Sequence, residues 1–315
     1  LNNSKAVCAV IVTYNRKKLL KRCLEHVLKQ KYKVRQIIII DNNSSDNSKE
    51  YIINYFSDFF SSSDIKFYWK RLEKNLGGAG GFSAGVEEFC NTECDFVWLM
   101  DDDGFPDYHC LETLIKNSNS RVFIGPIVLS DQDKIHLAFP LRLPSSLKVI
   151  DKLTDLGLDW RSTKLSDVVL PFNGTLISRD IVEQIGLPDP KYFIWGDEVD
   201  YTERARNVEA EISTICEALY FHPKSCNLGN PMFFGVLRFN DPSNDLKLYC
   251  YCRNNVANKK KYRGLLQAIM FACKTFWYYC FTHPSPLKLK ISIVATYHGL
   301  INDFTKHLKY SNLKP

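Results

Sequence analysis

The chain opens on an apolar, largely β-branched run, AVCAVIVTYN (6–15), with no helical spacing and a polar, turn-forming end. Such a run predicts a buried strand. The period then changes. In RKKLLKRCLEHVLKQ (16–30), Leu19, Leu20, Cys23, Leu24, Val27 and Leu28 share one helix face. VRQIIIIDNNSSDNS (34–48) returns to a buried strand closed by a polar turn, where Asp46 or a neighbouring Ser or Asn is expected to cap a helix over KEYIINYFSDFF (49–60). IKFYWKR (65–71) predicts a third strand. NLGGAGGFSAGVEEFC (75–90) predicts a glycine-rich loop entering a helix, and CDFVWLM (94–100) a fourth strand closing on Asp101.

Strand and helix in alternation imply right-handed crossovers and a mostly parallel sheet. In such sheets ligands bind beyond the carboxyl ends of the strands. Polar clusters fall at three of those ends: Thr13 to Arg16, Asp41 to Asp46, and Asp101 to Asp103. Beyond residue 120 the pattern loosens. RVFIGPIVLS (121–130), VVLPFNGTLIS (168–178) and EISTICEALYFH (211–222) predict strands. RDIVEQIG (179–186) predicts a short helix closed by Gly186, and DEVDYTERAR (197–206) another helix. Residues 131–165 look irregular and are expected to hold an acceptor-binding loop. From about 236 the chain reads as mainly helical and rich in Tyr, Phe and Lys. No internal repeat or low-complexity linker is visible.

Composition narrows the class. With 315 residues, 45% of them hydrophobic and 24% charged, the chain is globular and long enough for one large α/β domain with an appendage. The net charge of +6 is spread thinly, with small clusters at 29–35 and 258–263. It fits a solvated surface, an anionic membrane surface or a phosphorylated ligand; no nucleic-acid motif accompanies it. The 11 cysteines do not repeat as paired CxxC units, so reduced thiols in a cytosolic setting are expected rather than a zinc site. LLQAIMFACKTFWYYCF (265–281) is short for a membrane span and carries Lys274. It reads either as a packed helix or as an aromatic, basic-flanked helix lying on a membrane surface.

The candidate chemistry is acidic. FVWLMDDDGFPD (96–107) ends an apolar strand in three adjacent carboxylates, which repel one another unless neutralised. A solvated turn is one outcome, and a bound divalent cation such as Mg²⁺ the other. If extension persists, Asp101 and Asp103 point one way and Asp102 the other. The glycine-rich loop does not match the dinucleotide fingerprint, since Ser83 stands where Gly or Ala belongs, and no P-loop motif is present. Its glycines are expected to permit close backbone approach to a ligand. YFIWGDEVDYTERAR (192–206) is a second acidic site, in which Asp197 and Glu198 either cap a helix or supply a general base for an acceptor hydroxyl. His222 ends a strand, as a structural residue or a metal ligand.

Taken in order, VIVTYNR, IIIIDNNSSD, NLGGAGGFSAG, FVWLMDDDGFPD, FNGTLIS, YFIWGDEVDY and FH resemble an inverting glycosyltransferase of family two with the GT-A fold. These pieces cover residues 6 to about 222. A later YCYCRNN (249–255) resembles the Tyr-rich Arg-Asn segment of rhamnosyl- and galactofuranosyltransferase-like members. The resemblance implies an α/β GT-A (nucleotide-diphospho-sugar transferase) fold with a mostly parallel central sheet and a C-terminal helical region. It implies a catalytic domain over 1–235, with a nucleotide-sugar half to about 130 and an acceptor half over 131–235, then a possible membrane-associating region over 236–315. Thr13, Tyr14 and Arg16 should surround the nucleobase and Asp41 should hydrogen-bond it. Asn75, Gly77, Gly78, Asp101 and Asp102 should complete the sugar-nucleotide site. Asp101, Asp103 and His222 should hold Mn²⁺ or Mg²⁺. Glu198, or Asp197 beside it, should act as base. Many members carry Asp where this chain has Glu198. Trp195 and Gly174 are expected near the acceptor.

The same resemblance points to UDP-galactofuranose as donor and a lipid-linked (polyprenyl diphosphate) saccharide as acceptor. The setting would be bacterial surface polysaccharide synthesis at the cytoplasmic face of the membrane, with dTDP-rhamnose as the alternative donor. The chain begins at its first strand, and single addition is expected rather than polymerisation. A nucleotidyltransferase would leave WGDEVD unexplained. A non-catalytic sugar-nucleotide-binding protein is the rival of another class.

Overall fold

The structure is a computed structural model that describes residues 5–143, 149–224, 229–233 and 235–310. In chain order it runs β1 (Val7–Thr13), α1 (Lys17–Leu28), β2 (Gln36–Asp41), α2 (Ser48–Tyr55), α3 (Ser57–Ser62), β3 (Lys66–Arg71), α4 (Gly77–Cys90) and β4 (Phe96–Asp101). There follow β5 (Phe105–Pro106), α5 (Cys110–Lys116), β6 (Val122–Ser130), β7 (His136–Arg142), β8 (Val149–Lys152), β9 (Lys164–Ser166), β10 (Asn173–Ser178), α6 (Arg179–Ile185), α7 (Asp197–Asn207) and β11 (Glu211–His222). The chain ends with β12 (Asn230–Met232), β13 (Leu237–Phe239), α8 (Asp245–Arg263), α9 (Leu265–Trp277) and α10 (Pro286–Leu300). It divides into two compact units, the first of Leu1–Pro188 with Arg204–Cys226, the second of Asp189–Glu203 with Asn227–Pro315. This differs from a division at residue 235, because the segment carrying WGDE belongs with the C-terminal helices.

Unit 1 is built on one sheet whose strands run in the order β3-β2-β1-β4-β10-β6-β11-β5. The first four pair in parallel, and β10 enters antiparallel between β4 and β6. β1 is buried along its whole length. Its alternate residues Ala9 and Ile11 join a core with Leu20, Leu24 and Val27 of α1 and Trp98 of β4. The other face, carrying Val10 and Val12, meets α4. A Cβ on Gly81 would stand 2.4 Å from Val12 Cγ1, and one on Gly85 would stand 2.3 Å from Val10 Cγ1. The glycine-rich stretch is therefore helix from Gly77 onward, not a loop. Two of its five glycines, Gly81 and Gly85, let that helix lie close on the sheet, while Gly78 faces open space.

Other expectations shift in detail. Residues 49–60 form two helices broken at Phe56. The stretch expected to be irregular contains β7, β8 and β9. VVLPFNGTLIS becomes strand only from Asn173, because Phe172 takes a positive φ of 64°. Asp46 caps α1 instead of α2: its Oδ2 accepts from Lys17 N at 3.1 Å, while α2 starts without a side-chain cap.

Unit 2 packs α8, α9 and α10 around buried Tyr249, Tyr278, Tyr279 and Phe239. Gly299 lets α10 approach α8, since a Cβ there would lie 2.5 Å from Arg253 O. No described helix is long and apolar enough to cross a membrane. The α9 stretch is only partly packed: Ala268, Phe271 and Thr275 are buried, while Leu265, Leu266, Ile269, Met270, Phe276, Trp277 and Phe281 are exposed.

Candidate active site

Three strand ends of unit 1 meet at the acidic triplet. The strand stops at Asp101, and Asp102 and Asp103 lie in the turn after it. The expected alternation of the three carboxylates therefore does not hold. In the turn, Asp102 and Asp103 are instead paired with side chains from the neighbouring strand ends. Thr13 Oγ1, at the end of β1, donates to Asp102 Oδ2 at 2.7 Å. Arg16 Nη1 reaches Asp102 Oδ1 at 3.1 Å and Asp103 Oδ2 at 2.7 Å. His222 Nε2, at the end of β11, lies 3.1 Å from Asp103 Oδ1.

The electrostatics follow from burial. Asp102 is 3% exposed, and desolvation pushes its pKa up to about 6 against the opposing pull of Arg16 and Thr13. Burial also acts upward on Asp103, but the His222 imidazole and Arg16 outweigh it and hold this carboxyl below the usual range. Arg16 is raised: burial lowers it, and Asp102 and Asp103 more than offset that.

His222 Nδ1 lies 2.7 Å from Pro223 O. A carbonyl only accepts, so Nδ1 carries the proton, and Nε2 is the atom presented to Asp103. Asp103 Oδ1 is buried and has no hydrogen bond. An imidazole nitrogen beside an unbonded carboxylate oxygen is a donor pair suited to Mn²⁺ or Mg²⁺. Among the described residues no group of three His, Cys, Asp or Glu side chains is arranged to hold an ion. The expected set of Asp101, Asp103 and His222 is thus not assembled as three; Asp103 and His222 meet.

Around this edge the loops are tied together. Asp41 is buried and its Oδ1 accepts from Ser44 N at 2.8 Å. Ser44 Oγ accepts from Asn15 N, and Asn15 Oδ1 accepts from Ser45 N. Asn42 bridges onward, accepting from Leu76 N and donating to Gly77 O, each at 2.8 Å. Asn75 Oδ1 accepts from Gly77 N, whose φ of +72° suits glycine, and Gly78 faces open space. Tyr14 is half-buried beside them. Asn15, Asn42 and Ser44 lay within quoted motifs, yet sequence reasoning assigned them no part; polar turn residues carry no sign of which backbone they will tie. Gly174 has a packing role, because a Cβ there would stand 2.7 Å from the Tyr220 ring. Tyr220 Oη is buried without a hydrogen bond, under Gly104 as well as Gly174.

The second acidic motif is organised within unit 2. Phe193 has φ 68° and ψ −62°, and Ile194 N donates to Tyr192 O at 2.9 Å. This is the rare, strained form of γ-turn. Trp195, also at positive φ, and Gly196 follow it into α7. Aromatic residues in such conformations cost about 1–3 kcal/mol each unless their surroundings enforce them. The surroundings are the RNN segment of α8. Arg253 Nη2 donates to Tyr192 O at 2.8 Å. Asn254 Nδ2 lies 3.1, 3.0 and 2.5 Å from the carbonyls of Tyr192, Ile194 and Trp195. Asn258 Nδ2 donates to Gly196 O at 2.7 Å. Gly196 N in turn donates to Glu198 Oε2 at 2.6 Å. Asp197 is buried, Glu198 half-buried and Trp195 exposed. Asp200, also buried, takes donors from Lys261, Tyr262 and Tyr192.

A mixed sheet of this order, parallel over its first four strands and followed by an acidic turn at the end of β4, is the GT-A arrangement. The profile of Glycosyl transferase family 2 matches residues 8–186, and the chain belongs to that family. It is 30% identical over 271 residues to galactofuranosyltransferase GlfT1 of Mycolicibacterium smegmatis, covering 81% of this chain and 83% of that one. The Mycobacterium tuberculosis protein of the same name is 29% identical over 80% of this chain and 81% of its own. Among solved structures, GalNAc-T7 with UDP, GalNAc and Mn²⁺ aligns with a TM-score of 0.57 at 16% identity, over 98% of this chain and 57% of that one. A mannosyltransferase from Pyrobaculum calidifontis in complex with GDP-Man and Mn²⁺ aligns at 0.54 and 12% identity, over 95% of this chain and 76% of the other. The fold is GT-A, and the protein is a family-two glycosyltransferase.

Proposed function

We propose that the protein moves galactofuranose from UDP-galactofuranose to a hydroxyl of a lipid-linked saccharide, inverting the anomeric centre in one displacement. The observation that carries a nucleotide-sugar site is the convergence of Thr13, Arg16, Asp102, Asp103 and His222. The choice of sugar rests on the galactofuranosyltransferase relatives, whose likeness spans four-fifths of the chain.

In this reading Tyr14, Asp41, Asn75, Gly77 and Gly78 line the nucleoside side, and Asp102 holds the sugar-nucleotide end. Asp103 and His222, with Asp101 adjacent, are the residues that would hold a divalent ion, which when bound supplies charge to offset the departing diphosphate. Glu198 is the base. Its Oε2 is engaged by Gly196 N, leaving Oε1 to accept the acceptor's proton. The bond from the acceptor oxygen to the anomeric carbon forms as the bond to the diphosphate breaks, and UDP leaves with that electron pair. The exposed apolar side of α9, with Lys260, Arg263 and Lys290 also exposed, supports docking on an anionic membrane surface where a polyprenyl-linked acceptor resides.

The deciding experiment is calorimetric titration with UDP and dTDP, each with and without Mn²⁺, followed by transfer from UDP-galactofuranose to a lipid-linked saccharide. Mn²⁺-dependent preference for UDP followed by transfer is the expected result. Preference for dTDP moves the donor to dTDP-rhamnose with the same residues in the same roles. UDP binding without turnover on any acceptor returns the protein to the non-catalytic class.

A further inference from the structure

We infer that Asn254 and Asn258 of α8, with Arg253, are positioning residues for transfer, acting through the Tyr192–Gly196 turn on the carboxylate of Glu198. The inference rests on the reading of Glu198 as base and deepens it. A general base must offer one oxygen in one direction, and side-chain freedom at Glu198 works against that. Here the direction is imposed by a peptide. The Trp195–Gly196 peptide presents its N–H to Glu198 Oε2. The carbonyl of that peptide, Trp195 O, accepts from Asn254, and the following carbonyl, Gly196 O, accepts from Asn258. Two successive carbonyls of the turn are thus held by amides from one helix.

Several features single this arrangement out from ordinary packing. The pinned segment contains a strained γ-turn at Phe193 and a second positive φ at Trp195, conformations that persist only where the surroundings enforce them. The Asn254 amide offers two N–H groups to three carbonyls, so one is shared, and no simpler side chain would reach all three. Gly196 admits no side chain: a Cβ would lie 2.8 Å from Asn254 Cβ. Arg253, fully buried, spends its Nη2 on Tyr192 O. A helix that only needed to pack would not place three polar side chains against four carbonyls of one short turn.

The test is a double-mutant cycle on transfer. Asn258→Ala is expected to lower kcat on the order of 10- to 100-fold, the effect of slight misplacement of a reacting group. The Kd for UDP with Mn²⁺ should stay within about twofold, because the change acts on proton transfer. In a Glu198→Gln background the same substitution should cost less than about threefold, since the group it positions is gone. Full additivity of the two losses, or an equal rise in the UDP Kd, overturns the positioning role. Asn254→Ala, with its melting temperature measured alongside, repeats the cycle independently. A kcat loss that persists in folded protein supports the role, and a loss explained by unfolding at the assay temperature counts against it. If Glu198→Gln alone keeps wild-type turnover, the base assignment falls and the positioning role that rests on it falls with it, whereas additivity on top of a slow Glu198→Gln enzyme overturns the positioning role alone.

Discussion

In unit 1, Asp102 and Asp103 are held by polar and charged side chains: Arg16, Thr13 and His222. In unit 2, the Trp195–Glu198 turn is held by neutral amides that do no chemistry of their own. In the proposed reading, the first arrangement exchanges partners when a diphosphate and its cation arrive. The second has nothing to exchange. On that reading, a site that binds a charged ligand stores replaceable pairings, while a site that fixes a base stores permanent ones. The burial agrees, since Arg16 is half exposed while Asn254 and Asn258 are buried.

The sharpest break in this comparison comes from Asp103. Asp103→Ala removes the oxygen facing His222 and should lower transfer by at least about 10³-fold, the scale of losing a main electrostatic partner of the leaving group. Mn²⁺-dependent UDP binding should be lost with it. Turnover near wild type would remove the metal assignment. Glu198→Gln is expected to be gentler on binding and nearly as severe on rate: a kcat loss of about 10²–10³-fold for a missing general base, with the UDP Kd unchanged. The same loss in Asp197→Asn, with Glu198→Gln keeping near wild-type turnover, would exchange the two roles.

How much of this was legible in the sequence follows from what each feature depends on. β1, β2, β4 and β11 were readable because apolar runs of strand length leave little choice, and polar residues mark where they end. The motif around WGDE was readable as acidic and helix-leading. Its partner α8 was not: Asn254 and Asn258 look like any polar helix residues until the turn they hold is in place. The glycines misled for a related reason. Gly81 and Gly85 stand four apart on one helix face, a packing signature, but proximity to Asn75 and Gly77 drew them into a loop reading. The place of the acidic triplet was right and its conformation was not, because burial and pairing with Arg16 decide where a strand ends.

The glycine packing gives the next test. Gly81→Ala places a methyl 2.4 Å from Val12 Cγ1, against a strand that cannot move without disturbing Thr13 at its end. A loss of about 1–3 kcal/mol in denaturant unfolding is expected for such overpacking. Gly78→Ala, facing open space, should cost far less. Equal effects would mean that α4 does not lie as close to the sheet as described.

The smallest expected effect bears most directly on exchange of partners. Arg16→Ala leaves Asp102, 3% exposed, and Asp103 without their guanidinium, while Thr13 remains on Asp102. Breaking a fully buried pair costs several kcal/mol, but Arg16 is 50% exposed, so solvent screens it and about 1–2 kcal/mol is expected for the metal-free protein. Added Mn²⁺ should recover most of that loss, because a cation at Asp103 and His222 supplies the charge that Arg16 supplied. Asp103→Ala should show no such recovery. If Mn²⁺ stabilises wild type and Arg16→Ala by the same amount, Arg16 and the cation act independently. The charged site would then be as fixed as the amide-held turn in unit 2.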